Sequence, residues 1–292
     1  MGDVIAAAAL GARSGQTLAQ DTTTVNFYQL CDAALAARPD RTAVVTDTAN
    51  FPTDRYILEG LCLRHGKRLV LVDDEDGEGF LTSDKLANAL DSTTALVALP
   101  VVQYRSGALH DVAALTRLAH DCGALTVWDA SHAVGVVALR FDEDGVDLAV
   151  GCTYKYGNAG PGAPAWLYVA ERLQRELRVP IQGWFAQRDQ FAMGPLFEPA
   201  EGVRGFQVAT PSIIGLRCVE AGFSLITEVG LPAIAHKAAL GSDLMVRLHD
   251  AWPAPLGFEL VTPATRGDAE ATSRCTTQRP KALPLPCASE RR

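Results

Sequence analysis

The chain reads as an α/β protein with a mostly parallel central sheet and helices on both faces. Apolar runs of strand length alternate with segments of helical period through most of its length, the pattern of strands joined by helical crossovers. At 292 residues and 48% hydrophobic composition, it also has enough apolar material for one large core or two unequal ones.

From the N-terminus, a helix is expected from about Val25, because Phe27, Leu30, Cys31, Ala34 and Leu35 fall at i, i+3, i+4, i+7 and i+8. Ala43 to Thr46 reads as a strand, and Asn50-Phe51-Pro52-Thr53-Asp54 opens the next helix with proline in its first turn. Leu69 to Val72 and Ala95 to Leu99 are strand candidates, and Val112, Leu115 and Leu118 form a further helical stripe. Strands are then expected at Leu125 to Asp129, Leu148 to Cys152 and Ala165 to Val169. Right-handed crossovers place the strand ends and the loops after them on one edge, where open α/β sheets bind ligands. Ile213 to Ile226 and Pro232 to His249 read as two helices leaving the main unit. The expected organisation is a large domain over 1–212, an incomplete small domain over 213–262, and a turn-rich, disordered tail over 263–292.

Composition narrows the function classes. The net charge of -8, with Lys and Arg scattered, argues against a nucleic-acid partner. The seven cysteines are odd in number, with no CxxC pair and no zinc-ligand spacing; they read as small buried hydrophobes in a reducing cytoplasm. Residues 4–10 are apolar but lack a basic leader before them, and no apolar stretch approaches membrane-spanning length, so neither a signal peptide nor a membrane partner is expected.

The most informative pair is Asp129, closing Val127-Trp128-Asp129-Ala130-Ser131-His132, and Lys155, 26 residues later in Gly151-Cys152-Thr153-Tyr154-Lys155-Tyr156-Gly157. An aspartate ending an apolar run, with a lysine one βαβ step later in a Gly-rich turn, suits pyridoxal phosphate. Lysine forms a Schiff base with the aldehyde from a partly desolvated pocket, and an anionic partner keeps the pyridine nitrogen protonated. Standing alone, Asp129 would as readily cap a turn, His132 would be a packed core histidine and Lys155 a solvated loop residue. Their order and spacing, with Tyr154 beside the lysine, favour the chemical reading.

Other segments are weaker. Thr23 and Thr24, at a helix start, could grip a phosphate or simply cap the helix. Phe51 could stack on a ring or staple the helix that Pro52 and Thr53 begin. Trp184, in Gln182-Gly183-Trp184-Phe185, and Thr210, before Pro211, each offer one donor from a turn-rich stretch that could reach a phosphate, but on these residues alone both read as structural.

Together these motifs resemble the kynureninases, fold-type I pyridoxal-phosphate hydrolases of the aminotransferase superfamily. The resemblance spans about residues 1–262. It rests on Thr-Val-Asn at 24–26, Asn-Phe-Pro-Thr-Asp at 50–54, Trp-Asp-x-x-His at 128–132, Val-Gly-Cys-x-Tyr-Lys-Tyr at 150–156 with Gly-Pro-Gly-Ala-Pro at 160–164, and Gly-Trp-Phe at 183–185. Cysteine desulfurases, a rival branch, carry His directly before the lysine, where this chain has Tyr154. The resemblance implies that Lys155 carries the cofactor, Asp129 pairs with the ring nitrogen and His132 supports that aspartate. Phe51 would stack on the ring, with Pro52, Thr53 and Asp54 around it. Thr23, Thr24, Tyr154, Trp184 and Thr210 would hold the phosphate, the last two from the partner in a homodimer. The reaction implied is hydrolysis of L-kynurenine, or its 3-hydroxy form, to anthranilate, or 3-hydroxyanthranilate, and L-alanine, with Tyr154 relaying a proton.

There are departures. Pro100 stands where the family pattern has a hydroxyl, and Ala186-Gln187 replaces Gly-His. The family's N-terminal Gly-Asn-Ser-Leu-Gly type segment and its C-terminal carboxylate-binding arginine are not found, and the tail reads as an out-of-frame continuation. Two outcomes are expected: an active hydrolase, or a catalytically silent relative that keeps cofactor binding or only pairs with an intact subunit.

Overall fold

Seven strands form one sheet in the order β1-β7-β6-β5-β4-β2-β3. They are β1 (Thr17–Ala19), β2 (Ala43–Asp47), β3 (Arg68–Val72), β4 (Thr94–Pro100), β5 (Leu125–Asp129), β6 (Leu148–Gly151) and β7 (Trp166–Val169). The computed structural model describes residues 1–73 and 81–262, so the expectation for 263–292 lies outside the described residues.

Pairings β3-β2-β4-β5-β6 are all parallel, whereas β7 runs antiparallel to both β6 and β1. Loop chemistry explains the reversal. A parallel return needs a crossover, usually helical. The link from β6 to β7 is instead a Gly-rich turn, with Asn158 at φ 56° and Gly160 and Gly162 near 80°, and it turns the chain straight back. The six expected strands are present within a residue or two; β1, three residues long, is too short to show an alternating pattern.

The strand period of two divides the core into two layers. Leu125 and Val127 of β5, Leu148 and Val150 of β6, and Leu167 and Val169 of β7 pack with Phe27, Leu30, Leu58 and Leu61 of α2 (Thr23–Ala36) and α3 (Pro52–His65). Their alternates Trp128, Ala149, Trp166 and Tyr168 pack on the other face, with α5 (Val112–Asp121) and α6 (Ile213–Val229). The N-terminal apolar run joins this second layer as α1 (Gly2–Ile5) followed by a wider turn over Ala6–Leu10, and Ile5 and Leu10 are fully buried. A short α4 (Ser83–Ala89) and a long α7 (Leu231–Ala251) complete the helices. Among the described residues no single helix is long and apolar enough to cross a membrane.

α6 packs directly on the β6–β7 turn. Val219, Phe223 and Ile226 are buried in the core, each contributing roughly 1.5–3 kcal/mol as a large apolar side chain removed from water. Gly222, between them, lies so close to the turn that an added Cβ would sit 2.1 Å from the Gly157 carbonyl oxygen. Glycine is required because its neighbour is backbone and cannot rotate away. Gly222→Ala is predicted to push α6 off that turn and lower unfolding stability by about 1–3 kcal/mol; a urea midpoint equal to wild type would show that the contact is not tight.

Candidate active site

The parallel strands place their carboxyl ends side by side. Pro100 of β4 is in register with Asp129 of β5, and Asp129 with Val150 of β6. The Asp129 carbonyl accepts the Val101 N–H at 2.8 Å, so the aspartate closes its strand with its backbone satisfied and its side chain, 7% exposed, directed into the edge. Oδ1 accepts the Ser131 N–H at 2.8 Å, an Asx turn that reverses the chain and presents His132. Ser131 Oγ accepts the Cys152 N–H at 3.2 Å and so fastens this turn to the end of β6.

Lys155 stands on the turn after β6. Thr153, fully buried, donates its hydroxyl to the Pro164 carbonyl at 2.7 Å and accepts the Ala159 N–H on its own carbonyl at 3.1 Å, closing the loop on itself. Gly135, at φ 87°, and Gly157 allow the neighbouring turn and α6 to press against this loop. Lys155 Nζ lies 2.8 Å from His132 Nε2. Burial and the adjacent Lys155 hold the His132 imidazole below its ordinary pKa, so its neutral Nε2 accepts from the lysine. His132 hydrogen-bonds Lys155 and also feels the Asp129 charge, which raises its pKa against burial and the lysine, while the Ser131 amide donates to the aspartate.

A second carboxylate joins from α3. Phe51 caps the helix, Pro52 fills its first turn, and Asp54 is buried at 4% exposure. Asp54 is pushed up to about 9, first by burial and then by the charge and hydrogen bonding of Asp129, with Lys155 acting in the opposite direction. Burial and a neighbouring carboxylate both disfavour the ionised form, so Asp54 holds its proton well above the ordinary carboxylate range.

The rim is aromatic. Phe51, 38% exposed, meets the edge of Tyr104 at 5.2 Å and 86°. Tyr154, 50% exposed, is raised above its ordinary pKa by burial and then by the Cys152 thiol, and so remains a protonated phenol over a wide pH range. Two cavities, of about 530 and 1040 Å³, contain none of these groups.

The structure gathers Asp54, Asp129, His132 and Lys155 into one cluster, with Tyr154 on the same turn as Lys155 and Phe51 at the start of Asp54's helix. Thr23 and Thr24 are the first two residues of α2, and the cap is their neighbour Thr22, whose hydroxyl accepts the Val25 N–H at 3.3 Å. Both Thr23 and Thr24 are thereby left outside the capping role. Pro52 and Thr53 are half-buried in the first turn of α3. Trp184, 47% exposed, donates its indole N–H to the Gln190 carbonyl at 3.0 Å, and Thr210 is exposed; neither shares a hydrogen bond or ring contact with the Asp129–Lys155 group. Sequence reasoning passed over Ser131 and Cys152. A serine two residues after a strand-ending aspartate is the available signal for the first; the second shows only in three dimensions.

The raised Asp54 pKa has a consequence for stability. A folded value above the ordinary 3.8 means the folded state retains a proton that the unfolded state has lost, so the contribution is complete below about pH 4 and is lost as pH rises through about 9. Asp54→Asn is therefore predicted to gain stability relative to wild type across that window; a stability difference that stays flat from pH 4 to 9 in urea titrations would contradict the proton assignment.

Comparison with known proteins supplies the family. The aminotransferase class-V family model matches residues 8–255. A kynureninase of Pseudomonas fluorescens is 39% identical over 260 residues, and one of Burkholderia pseudomallei 36% identical over 260. Each alignment takes in 87% of this chain and 61% of the relative, so the chain spans about three fifths of the length of these relatives. Among solved structures, a cysteine desulfurase from Thermococcus onnurineus superposes with a TM-score of 0.75 at 21% identity, covering 85% of this chain and 60% of that one. The enzyme C-DES, with glycine covalently linked to its PLP cofactor, superposes with a TM-score of 0.74 at 19% identity, covering 86% of this chain and 66% of that one. At those identities the likeness is one of fold. With the family model matching residues 8–255, the chain belongs to the aminotransferase class-V family.

Proposed function

We propose that the chain binds pyridoxal 5'-phosphate and hydrolyses the Cβ–Cγ bond of L-kynurenine, or of 3-hydroxykynurenine, to give anthranilate, or 3-hydroxyanthranilate, and L-alanine in tryptophan catabolism. The observation that carries the reading is the cluster in which half-buried Lys155 and His132 meet at 2.8 Å beside the buried carboxyl groups of Asp54 and Asp129. The relatives named kynureninase supply the substrate.

The residues fit the group. Asp54 Oδ2 is a buried acceptor without a hydrogen-bond partner, so Asp54 and Asp129 would be the residues to hold the ring nitrogen of the cofactor. When bound, the pyridoxal ring supplies an electron sink for the carbanion formed at the substrate α-carbon. Lys155 Nζ, held by His132 Nε2, suits the role of the base that takes the α-proton. Tyr154, kept protonated by burial and its thiol neighbour, can return a proton to Cβ, the carbon that becomes the methyl group of alanine once the anthranilate part has left. Phe51 offers a ring face at the rim, with Tyr104 fixing its edge. Thr23 and Thr24, free of the capping role at a helix start, suit a phosphate.

Trp184 and Thr210 are exposed and suit a phosphate held across a homodimer interface; Trp184 would first have to release the Gln190 carbonyl. The free cysteines among the described residues suit a reducing cytoplasm. A second reading, cofactor capture without turnover, draws on Pro100, which pairs with Asp129 in register and offers no hydroxyl to that edge.

Chain purified with pyridoxal phosphate is expected to show a visible absorption band that Lys155→Ala abolishes, and to release fluorescent anthranilate from L-kynurenine. A band that persists in the variant rejects the role of Lys155. A lysine-dependent band without anthranilate selects the second reading.

A further inference from the structure

Beside the site, at the carboxyl end of β2, stands a buried acid that the reaction does not use. Asp47 is 3% exposed and Gln103 is 1% exposed. Gln103 Nε2 donates to Asp47 Oδ2 at 2.6 Å. The other half of each group, Asp47 Oδ1 and Gln103 Oε1, is a buried acceptor with no hydrogen-bond partner. Two orphaned acceptors on a pair already joined by one hydrogen bond is an unstable arrangement for an ionised carboxylate. A single proton resolves both: placed on Oδ1, it is donated to Oε1, and acid and amide close a ring of two parallel hydrogen bonds.

Gln103 forms the base of a small hairpin. Its N–H donates to the Ala108 carbonyl at 2.9 Å, its carbonyl accepts the Gly107 N–H at 2.8 Å, and Val102 bridges to Leu109. Tyr104, the next residue, is the one whose ring meets Phe51. The amino end of the hairpin is tied to Asp129 by the Val101 N–H. We propose that Asp47 and Gln103 form a protonated acid–amide clasp that positions the Tyr104 hairpin against Phe51 and loosens when Asp47 ionises. Both are positioning residues, acting on the candidate site through Tyr104.

The surroundings agree. Burial pushes Asp47 from 3.8 to about 6 against several opposing groups: the Gln103 amide, the Asn50 and Ala49 backbone amides, and the Arg55 guanidinium of α3. Beyond β3, the acid nearest in sequence, Asp73, takes the Thr48 hydroxyl at 2.9 Å. Because the folded value is raised, the clasp is at full strength below about pH 4 and fails as pH rises through about 6.

The clasp belongs to the chain itself, so it is tested without cofactor or substrate, and its failure would leave the proposed reaction untouched. In protein carrying ¹³C-labelled aspartate, the carboxyl resonance missing from Asp47→Asn is expected to titrate near pH 6; an ordinary carboxylate midpoint overturns the proposal. Asp47→Asn also keeps the ring at every pH, as an amide pair. Deuterium uptake of residues 101–110 should match wild type at about pH 5 and be slower than wild type at about pH 8. The ceiling is about a hundredfold, set by the gap from 3.8 to about 6. Gln103→Leu should lose that protection already at pH 5. Wild type and Asp47→Asn exchanging in step from pH 5 to pH 8 would overturn the clasp as well.

Discussion

Two carboxylates buried within reach of one another set the terms for this site. Asp129 is fixed by the sheet: it ends β5, its carbonyl belongs to the hydrogen-bonded edge, and one oxygen is taken by the Ser131 amide. Asp54 is fixed by a helix start, with Phe51 and Pro52 defining where α3 begins. Neither can retreat into solvent, so the repulsion between them is met by a retained proton rather than by movement. The cation that answers them is Lys155, and its position depends in turn on the loop that replaces a crossover helix between β6 and β7. The sheet order, the reversal at β7 and the aromatic rim all serve to bring one acid from a strand and one from a helix to a single edge.

Much of this was legible from residue order. The strand patterns at 95–99, 125–129 and 148–152 are dense in apolar residues because both sheet faces are covered, and such runs are hard to mistake. β1 was not legible, since three residues carry no period, and neither was the antiparallel turn of β7, because a strand's direction is set by the loop before it. The α2 start was misplaced by two residues: apolar spacing fixes a face, whereas the cap at Thr22 fixes the end.

At the site, Asp129, Lys155 and the 51–54 segment could be read because spacing along the chain reports on neighbouring strands. Contacts between distant side chains could not. That His132 reaches the lysine depends on how tightly the Asx turn at Ser131 winds. The Asp47–Gln103 pair joins residues 56 apart, and a buried acid has no signature in one dimension.

The contact between Gly222 and Gly157 makes the lysine turn answerable to α6. A helix seated backbone to backbone on that turn leaves no side chain to absorb displacement. α6 ends at Gly230, where the chain bends by 84° into α7, so it is α6 itself whose seating bears on the turn that carries Lys155. Substitutions along the packed face of α6 therefore act on the turn that carries Lys155. Part of the site's inheritance is recorded in a stretch that carries no reactive group.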